Sequence, residues 1–261
     1  MENIIESTDN KFVKEALQLR NAKRRRKLGK FVLEGAAYIA DVADNTGVEY
    51  LLVAASQREA HRGLCEKYVH RIVADKLMGL VCDTVTPQGI VAVCRQPRPD
   101  SEALAGLGGL YLVCEDVRDP GNLGTIIRTA AAAGVSAVFA LPGCVDAYSP
   151  KVVRASSGCV FAVHIVDNLD ADEVMSLLSR QQARIYAAHL EGSTLPYDTD
   201  LCGNCAIIIG NEASGVSPAL AGRCDAWLRL PMPGAVQSLN ASVAAGIIIY
   251  ESIRQRLVKT V

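Results

Sequence analysis

The segment Cys205–Glu251, CAIIIGNEASGVSPALAGRCDAWLRLPMPGAVQSLNASVAAGIIIYE, decides the fold of this chain. Two short apolar runs, Ala206–Ile209 and Ala226–Leu230, each stop at a polar segment containing Gly or Pro, and a long Ala/Ile-rich stretch of helical period follows the second. The change of period gives strand, loop, strand, loop, helix. The loops GNEASG (Gly210–Gly215) and PMPGAVQS (Pro231–Ser238) are too short and polar to build core. They begin where strands end, the place where an open α/β sheet forms its ligand crevice.

The same alternation runs upstream. Strands are predicted at Leu110–Cys114, Val135–Leu141, Val160–Val166 and Arg184–Ala188, with helices from about Asn122 to Ala133, Lys151 to Ser156 and Ala171 to Gln181. Strands regularly separated by helices imply a parallel sheet with helices on both faces. Residues 31–94 carry a shorter α/β pattern. Its strands are Phe31–Leu33, Tyr50–Val53, Arg71–Val73 and Ile90–Val93, and its helices Ala36–Ala43, Arg58–Lys67 and Lys76–Leu80. Between the two lies RQPRPDSEALAGLGG, Arg95–Gly109, rich in Pro and Gly and without a strong period, which reads as a linker. The predicted organisation is therefore a small domain 1–94, a linker 95–109 and a second domain 110–261.

Half of the 261 residues are hydrophobic, enough for a sizeable core in each of two domains. The formal net charge of −1 argues against wholesale electrostatic attraction to nucleic acid. Residues 1–30, however, hold nine Lys/Arg against four Asp/Glu, densest at Lys23, Arg24, Arg25, Arg26 and Lys27. This cluster prolongs or terminates a helix begun over Lys11–Leu19, and is either a solvated face or a set of phosphate contacts that give affinity without sequence choice. No apolar run approaches the roughly 20 residues that span a bilayer, and the N-terminus lacks the pattern of a signal peptide, so cytoplasmic residence is expected. Nine cysteines without framework spacing suit a reducing compartment. Cys202 and Cys205 form a single CxxC with no second pair to complete a metal site, so no metal is expected. Neither GxGxxG after Leu110–Cys114 nor GxxxxGK[ST] occurs, which argues against a Rossmann dinucleotide site and a P-loop.

The polar residues at the predicted strand ends are Asn122 and Arg128 on the first helix, Gly210, Asn211 and Glu212 in the second loop, and Pro231, Met232, Gly234, Ser238 and Asn240 in the third. Singly, each has a plain structural reading. Asn122 and Ser238 can be helix caps, Arg128 a surface cation and Glu212 the partner of a Lys or Arg.

Together, DPGNLGTIIRTA (Asp119–Ala130), IIIGNEASGVS (Ile207–Ser217) and LPMPGAVQSLNASVAAG (Leu230–Gly246) resemble the three ordered motifs of the SpoU (TrmH) RNA ribose 2'-O-methyltransferases, of the SPOUT class. The N-terminal part, with FVLEG at Phe31–Gly35, is similar to the ribosomal-protein-like substrate-binding domain that precedes many of these enzymes. The resemblance implies an α/β fold with a parallel sheet whose C-terminal segment threads through a loop to make a deep trefoil knot, S-adenosylmethionine as methyl donor, and a homodimer with the active site at or near the subunit interface. It places Gly210, Leu230 and Leu239 against the cofactor largely through backbone groups, with Met232 close by. Asn122, Arg128, Glu212, Ser238 and Asn240 fall on positions associated with catalysis or with shaping the pocket. Glu212 is either a general base or a residue that fixes the loops by pairing with Asn122 or with a partner subunit. Ala213 and Ser214 stand where the family frequently has glycine. The implied substrate is structured RNA, 23S rRNA before tRNA. The rivals are a non-catalytic RNA- or ribosome-binding protein, and a small-molecule enzyme using Glu212 and a phosphate at the Asn122 helix N-terminus.

Overall fold

The computed structural model of the protein describes residues 4–42, 47–99, 104 and 107–259. The chain forms two compact units, 1–97 with 148–161, and 98–147 with 162–261.

The first unit is built on four strands, β1 (Lys30–Glu34), β2 (Val48–Ala54), β3 (His70–Val73) and β4 (Ile90–Arg95), in the order β1-β4-β2-β3. Of these strand pairs only β2–β3 is parallel. The helices Lys11–Gln18 and Asp75–Val81 cover one face, burying Val13, Ala16, Leu77 and Met78 with Leu52, Val91 and Val93. The basic cluster does not prolong the first helix. Asn21 interrupts it, accepting from the amides of Lys23 at 2.9 Å and Arg24 at 3.3 Å, and so starts a separate helix, Ala22–Leu28, that ends on Gly29 at φ 63°. The helix expected over Arg58–Lys67 is confined to Arg62–Lys67, and the predicted end of the helix Ala36–Asp41 at Ala43 lies outside the described residues. The same holds for residues 100–103, 105 and 106 of the linker, whose first residue, Arg95, belongs to β4.

The second unit holds six parallel strands in the order β10-β8-β9-β5-β6-β7: β5 Leu110–Cys114, β6 Ala137–Ala140, β7 His164–Val166, β8 Arg184–Ala188, β9 Cys205–Ile209 and β10 Ala226–Leu228. β5 and β9 are buried at every position, as continuous apolar runs in a sheet covered on both sides must be. Tyr111, Val113, Phe139, Ala206 and Ile208 face the helix Ala171–Arg180, which presents Val174, Leu177 and Leu178. By strand alternation Leu112, Val138 and Ile207 face the other way, toward the side of the helices Pro120–Ala132 and Ala241–Lys259. The strand expected at Val160–Val166 is reduced to His164–Val166, because Cys159–Phe161 form a 3-10 turn in which Phe161 packs 5.5 Å from Phe31 in the first unit's core. Among the described residues, no helix is long and apolar enough to cross a membrane.

The order of strand addition reverses beside β5: β6 and β7 extend to one side, and β9, β8 and β10 to the other. The carboxyl ends of β8, β9 and β10 lie together at the site described next.

Candidate active site

The loops after β8, β9 and β10 enclose a cavity of about 380 Å³, within the roughly 300–1,000 Å³ usual for small-molecule sites. Gly210, Leu230, Met232 and Leu239 all line it, as do Glu212 and Ser238. Asn122, Asn240 and Arg128 do not. Asn122 and Asn240 are nonetheless tied to its wall, whereas Arg128 is exposed on the helix Pro120–Ala132 and makes no hydrogen bond or ion pair among the described residues. Sequence reasoning missed the wall formed by His189–Glu191, although this loop also follows a strand. Its signal was the polar segment HLEGST directly after the apolar end of β8.

The loop after β9 is a closed turn. Asn211 and Gly215 exchange backbone hydrogen bonds at 3.1 and 2.9 Å, and the Asn211 side chain accepts from the amides of Ala213 at 2.9 Å and Ser214 at 3.3 Å. Its amide nitrogen donates to the Asp116 carbonyl at 2.9 Å, joining this turn to the loop after β5. Only Gly215, at φ 68°, adopts a left-handed conformation here, so Ala213 and Ser214 need not be glycine. Gly210 is required for a different reason: a Cβ there would overlap the backbone of Gly215 and Val216.

Neither predicted cap holds. Asp119, not Asn122, caps the helix Pro120–Ala132, accepting from the Asn122 amide at 2.8 Å. Asn240, not Ser238, caps the last helix, its Oδ1 accepting from Ser242 N at 2.9 Å and Val243 N at 3.3 Å. The Asn122 side chain is therefore free for other partners. Its Oδ1 accepts from Asn240 Nδ2 at 2.7 Å, and its Nδ2 donates to Glu212 Oε1. Three residues far apart in sequence form one hydrogen-bonded chain that ends on a carboxylate at the cavity wall. The pairing of Glu212 with Asn122, one of the two roles left open by the sequence, is present.

The cavity fits a ligand with a flat apolar part and polar edges. Ile209, Leu228, Leu230 and Leu239 supply aliphatic walls, while the glycines keep the main chain close to the space. These are the features that would hold the adenosine part of S-adenosylmethionine. Among the described residues no group of three His, Cys, Asp or Glu could hold a metal ion. Cys205 is buried within β9, and burial pushes its thiol above the usual range, against thiolate chemistry for the CxxC pair.

In the basic helix, Lys23, Arg24, Arg26 and Lys27 are exposed, but Arg25 is only 3% exposed. Its guanidinium donates to the carbonyls of Leu19 at 2.8 Å and Arg20 at 2.9 Å, closing the end of the preceding helix. Arg25 is thus a structural residue rather than the phosphate contact expected from its place in the basic run.

The profile of the SpoU rRNA Methylase family matches residues 109–250, and that of the MRM3-like substrate binding domain residues 10–92. The 23S rRNA (guanosine(2553)-2'-O)-methyltransferase RlmP of Bacillus subtilis is 32% identical over 246 residues, covering 94% of this chain and 97% of that protein. Among solved structures, the SpoU methyltransferase AviRb of Streptomyces viridochromogenes in complex with AdoMet superposes with a TM-score of 0.87 at 28% identity, covering 95% of this chain and 98% of that one. The AdoMet-bound rRNA methyltransferase of Sinorhizobium meliloti gives 0.84 at 29% identity, with 97% of each chain covered. Two matched profiles across most of the chain, and a cavity lined by the loops of the second and third motifs, lead to one conclusion: the chain belongs to the SpoU rRNA methylase family.

Proposed function

We propose that this protein transfers a methyl group from S-adenosylmethionine to a ribose 2'-hydroxyl of ribosomal RNA, most directly 23S rRNA. The observation that carries the reading is the junction of the cavity with the Glu212–Asn122–Asn240 chain, which draws all three motifs to one place. RlmP, an rRNA 2'-O-methyltransferase by name, matches over nearly its whole length, which favours rRNA over tRNA. The AdoMet-bound neighbours support the cofactor. When bound, S-adenosylmethionine supplies an electrophilic methyl on a sulfonium sulfur.

The protein's part is alignment and charge. Gly210, Leu230, Met232 and Leu239 hold the adenosine end, and the Asn122–Asn240 bond fixes the distance between the first and third motifs. The Arg128 guanidinium, a donor with no acceptor, grips a substrate phosphate and stabilises developing negative charge on the 2'-oxygen, while the phosphate or a water receives the proton. Glu212, engaged by Asn122, fixes the loops. The exposed basic residues of Ala22–Leu28 hold the RNA by its phosphates, within a substrate-binding domain spanning 1–94. The methyltransferase domain, 110–261, carries the trefoil knot and pairs with a second copy in the cytoplasm.

The test is transfer of labelled methyl to ribosomal RNA from cells lacking the gene, with the acceptor nucleotide mapped by its resistance to alkaline cleavage. Methylation of 23S rRNA, absent with Arg128→Ala, supports the reading. Cofactor binding with no RNA accepting methyl groups would favour a non-catalytic binder, and methylation of tRNA alone would move the substrate.

A further inference from the structure

We propose that Glu191 makes the cavity prefer the positively charged methyl donor over its neutral demethylated product, so that spent cofactor leaves; this rests on the cofactor reading above. Two charged side chains line the cavity, Glu191 and Glu212, and among the described residues no Lys or Arg joins them. Neither has a cationic partner among the described residues. His189, also in the wall, accepts the Glu191 amide proton at its Nδ1, at 3.1 Å. The wall therefore carries two negative charges that no described cation offsets.

Glu191 does not hang on a loose loop. His189 donates its amide to the Leu228 carbonyl at 3.0 Å, Arg229 donates to the Thr194 carbonyl at 2.9 Å, and the His189 ring lies 4.5 Å from that of Trp227. A Cβ at Gly192 would press on the Trp227 carbonyl, so the loop is seated on β10. The backbone that carries Glu191 is thereby seated beside the cavity, and the Glu191 side chain, solvent-exposed at its rim, has no hydrogen-bond or ion-pair partner among the described residues.

The chemistry gives such a charge a use. Methyl transfer forms an O–CH₃ bond and breaks the S–CH₃ bond, leaving the electron pair on sulfur; the hydroxyl proton leaves to phosphate or water. The ligand's sulfur is cationic before the step and neutral after it, while its amino-acid and adenosine parts are unchanged. Negative charge along the wall, screened by solvent at these exposed residues, favours the first state and loses that advantage in the second.

Calorimetric titration of wild type and Glu191→Gln with S-adenosylmethionine and S-adenosylhomocysteine tests this. Wild type should prefer the sulfonium form. The variant should lose roughly fivefold in affinity for it, while its affinity for the thioether changes less than twofold. Glu191→Asp should keep most of the preference, and added salt should shrink it in wild type. Equal loss for both ligands would overturn the proposal, since Glu191 would then hold a group they share, as would no loss at all. A wild-type protein that binds neither ligand would instead overturn the cofactor reading. An unchanged melting temperature of Glu191→Gln shows that the comparison is between folded proteins.

Discussion

Asn240 and Asn122, 118 positions apart, are joined by a 2.7 Å hydrogen bond whose direction is set by a helix cap. The Oδ1 of Asn240 must face the amides of Ser242 and Val243, so its Nδ2 faces Asn122. Asn122 must then offer Oδ1 to Asn240 and Nδ2 to Glu212. Asn240→Asp preserves the cap but destroys the donor, turning an oxygen toward Asn122 and forcing its amide to reverse against the Glu212 carboxylate. Stability should stay within about 0.5 kcal/mol of wild type, whereas Asn240→Ala should lose about 1 kcal/mol with the cap. Both should lower methyl transfer by roughly 100-fold through misplacement of the loops. Denaturant melts and single-turnover transfer read the two effects separately, and wild-type transfer by Asn240→Asp would detach the bond from catalysis.

Arg128 presents the opposite case, an exposed cation without a partner among the described residues. Its removal leaves no orphaned group behind, so Arg128→Ala should change stability by no more than about 0.5 kcal/mol. Affinity for cofactor should stay within roughly tenfold, about 1.4 kcal/mol, while transfer is abolished. Arg128→Lys should not restore it, because an ammonium lacks the planar pair of donors that grips a phosphate. Calorimetry beside the transfer assay decides: equal loss of binding and transfer would make Arg128 a cofactor or folding residue.

Gly210→Ala should remove cofactor binding outright. The added methyl meets backbone rather than a movable side chain, so the turn Asn211–Gly215 must open or shift into the cavity. Overpacking of this kind costs about 1–3 kcal/mol in stability. Gly215→Ala is the control: its Cβ would meet nothing within 4 Å, leaving only the strain of φ 68°, about 1 kcal/mol. Tight binding by Gly210→Ala would place the cofactor elsewhere.

The sheet was legible because β5 and β9 are unbroken apolar runs between loops, and the three loops because they follow such runs. What failed was the assignment of single polar residues. An Asn at the start of a helical pattern signals a cap, but at Asn122 the turn residue Asp119 lay three positions earlier and takes that role, releasing Asn122 for a contact that spans 90 residues. Arg25 could not be told from its neighbours in KRRRK, since its burial depends on where the preceding helix stops and which carbonyls that leaves unpaired. The strand at Val160 failed similarly: an apolar residue records burial, not which core receives it.

Within the basic helix, Arg25 and its neighbours should separate cleanly. Replacing Lys23, Arg24 and Lys27 by Ala should weaken RNA binding and reduce the slope of log affinity against log salt by about 0.7–0.9 for each phosphate no longer neutralised, with the melting temperature unchanged. Arg25→Ala should do the reverse, costing about 1–3 kcal/mol of stability because the Leu19 and Arg20 carbonyls are deprived of their donor. Filter binding across a salt series, with thermal melts of each variant, distinguishes them. An unchanged slope for the triple variant would take this helix out of the RNA interface.

The last helix buries Ala241, Ala245, Ile248, Ile249 and Ser252 but leaves Val243 49%, Ile247 36%, Tyr250 53% and Leu257 66% exposed. Their spacing of four, three and seven places them along one stripe, an apolar seam that water does not favour and that a second copy of the same helix would cover. If that seam is the subunit interface, Tyr250→Glu buries a charge at its centre and should weaken association by about 2 kcal/mol or more, roughly 30-fold in dissociation constant. Sedimentation equilibrium should show a dimer for wild type and a concentration-dependent shift to monomer for the variant. Because the carboxylate would sit on an exposed face of the isolated chain, its fold should survive, and circular dichroism should be unchanged. A wild-type monomer at micromolar concentration, or a Tyr250→Glu dimer as tight as wild type, would assign the stripe no part in pairing.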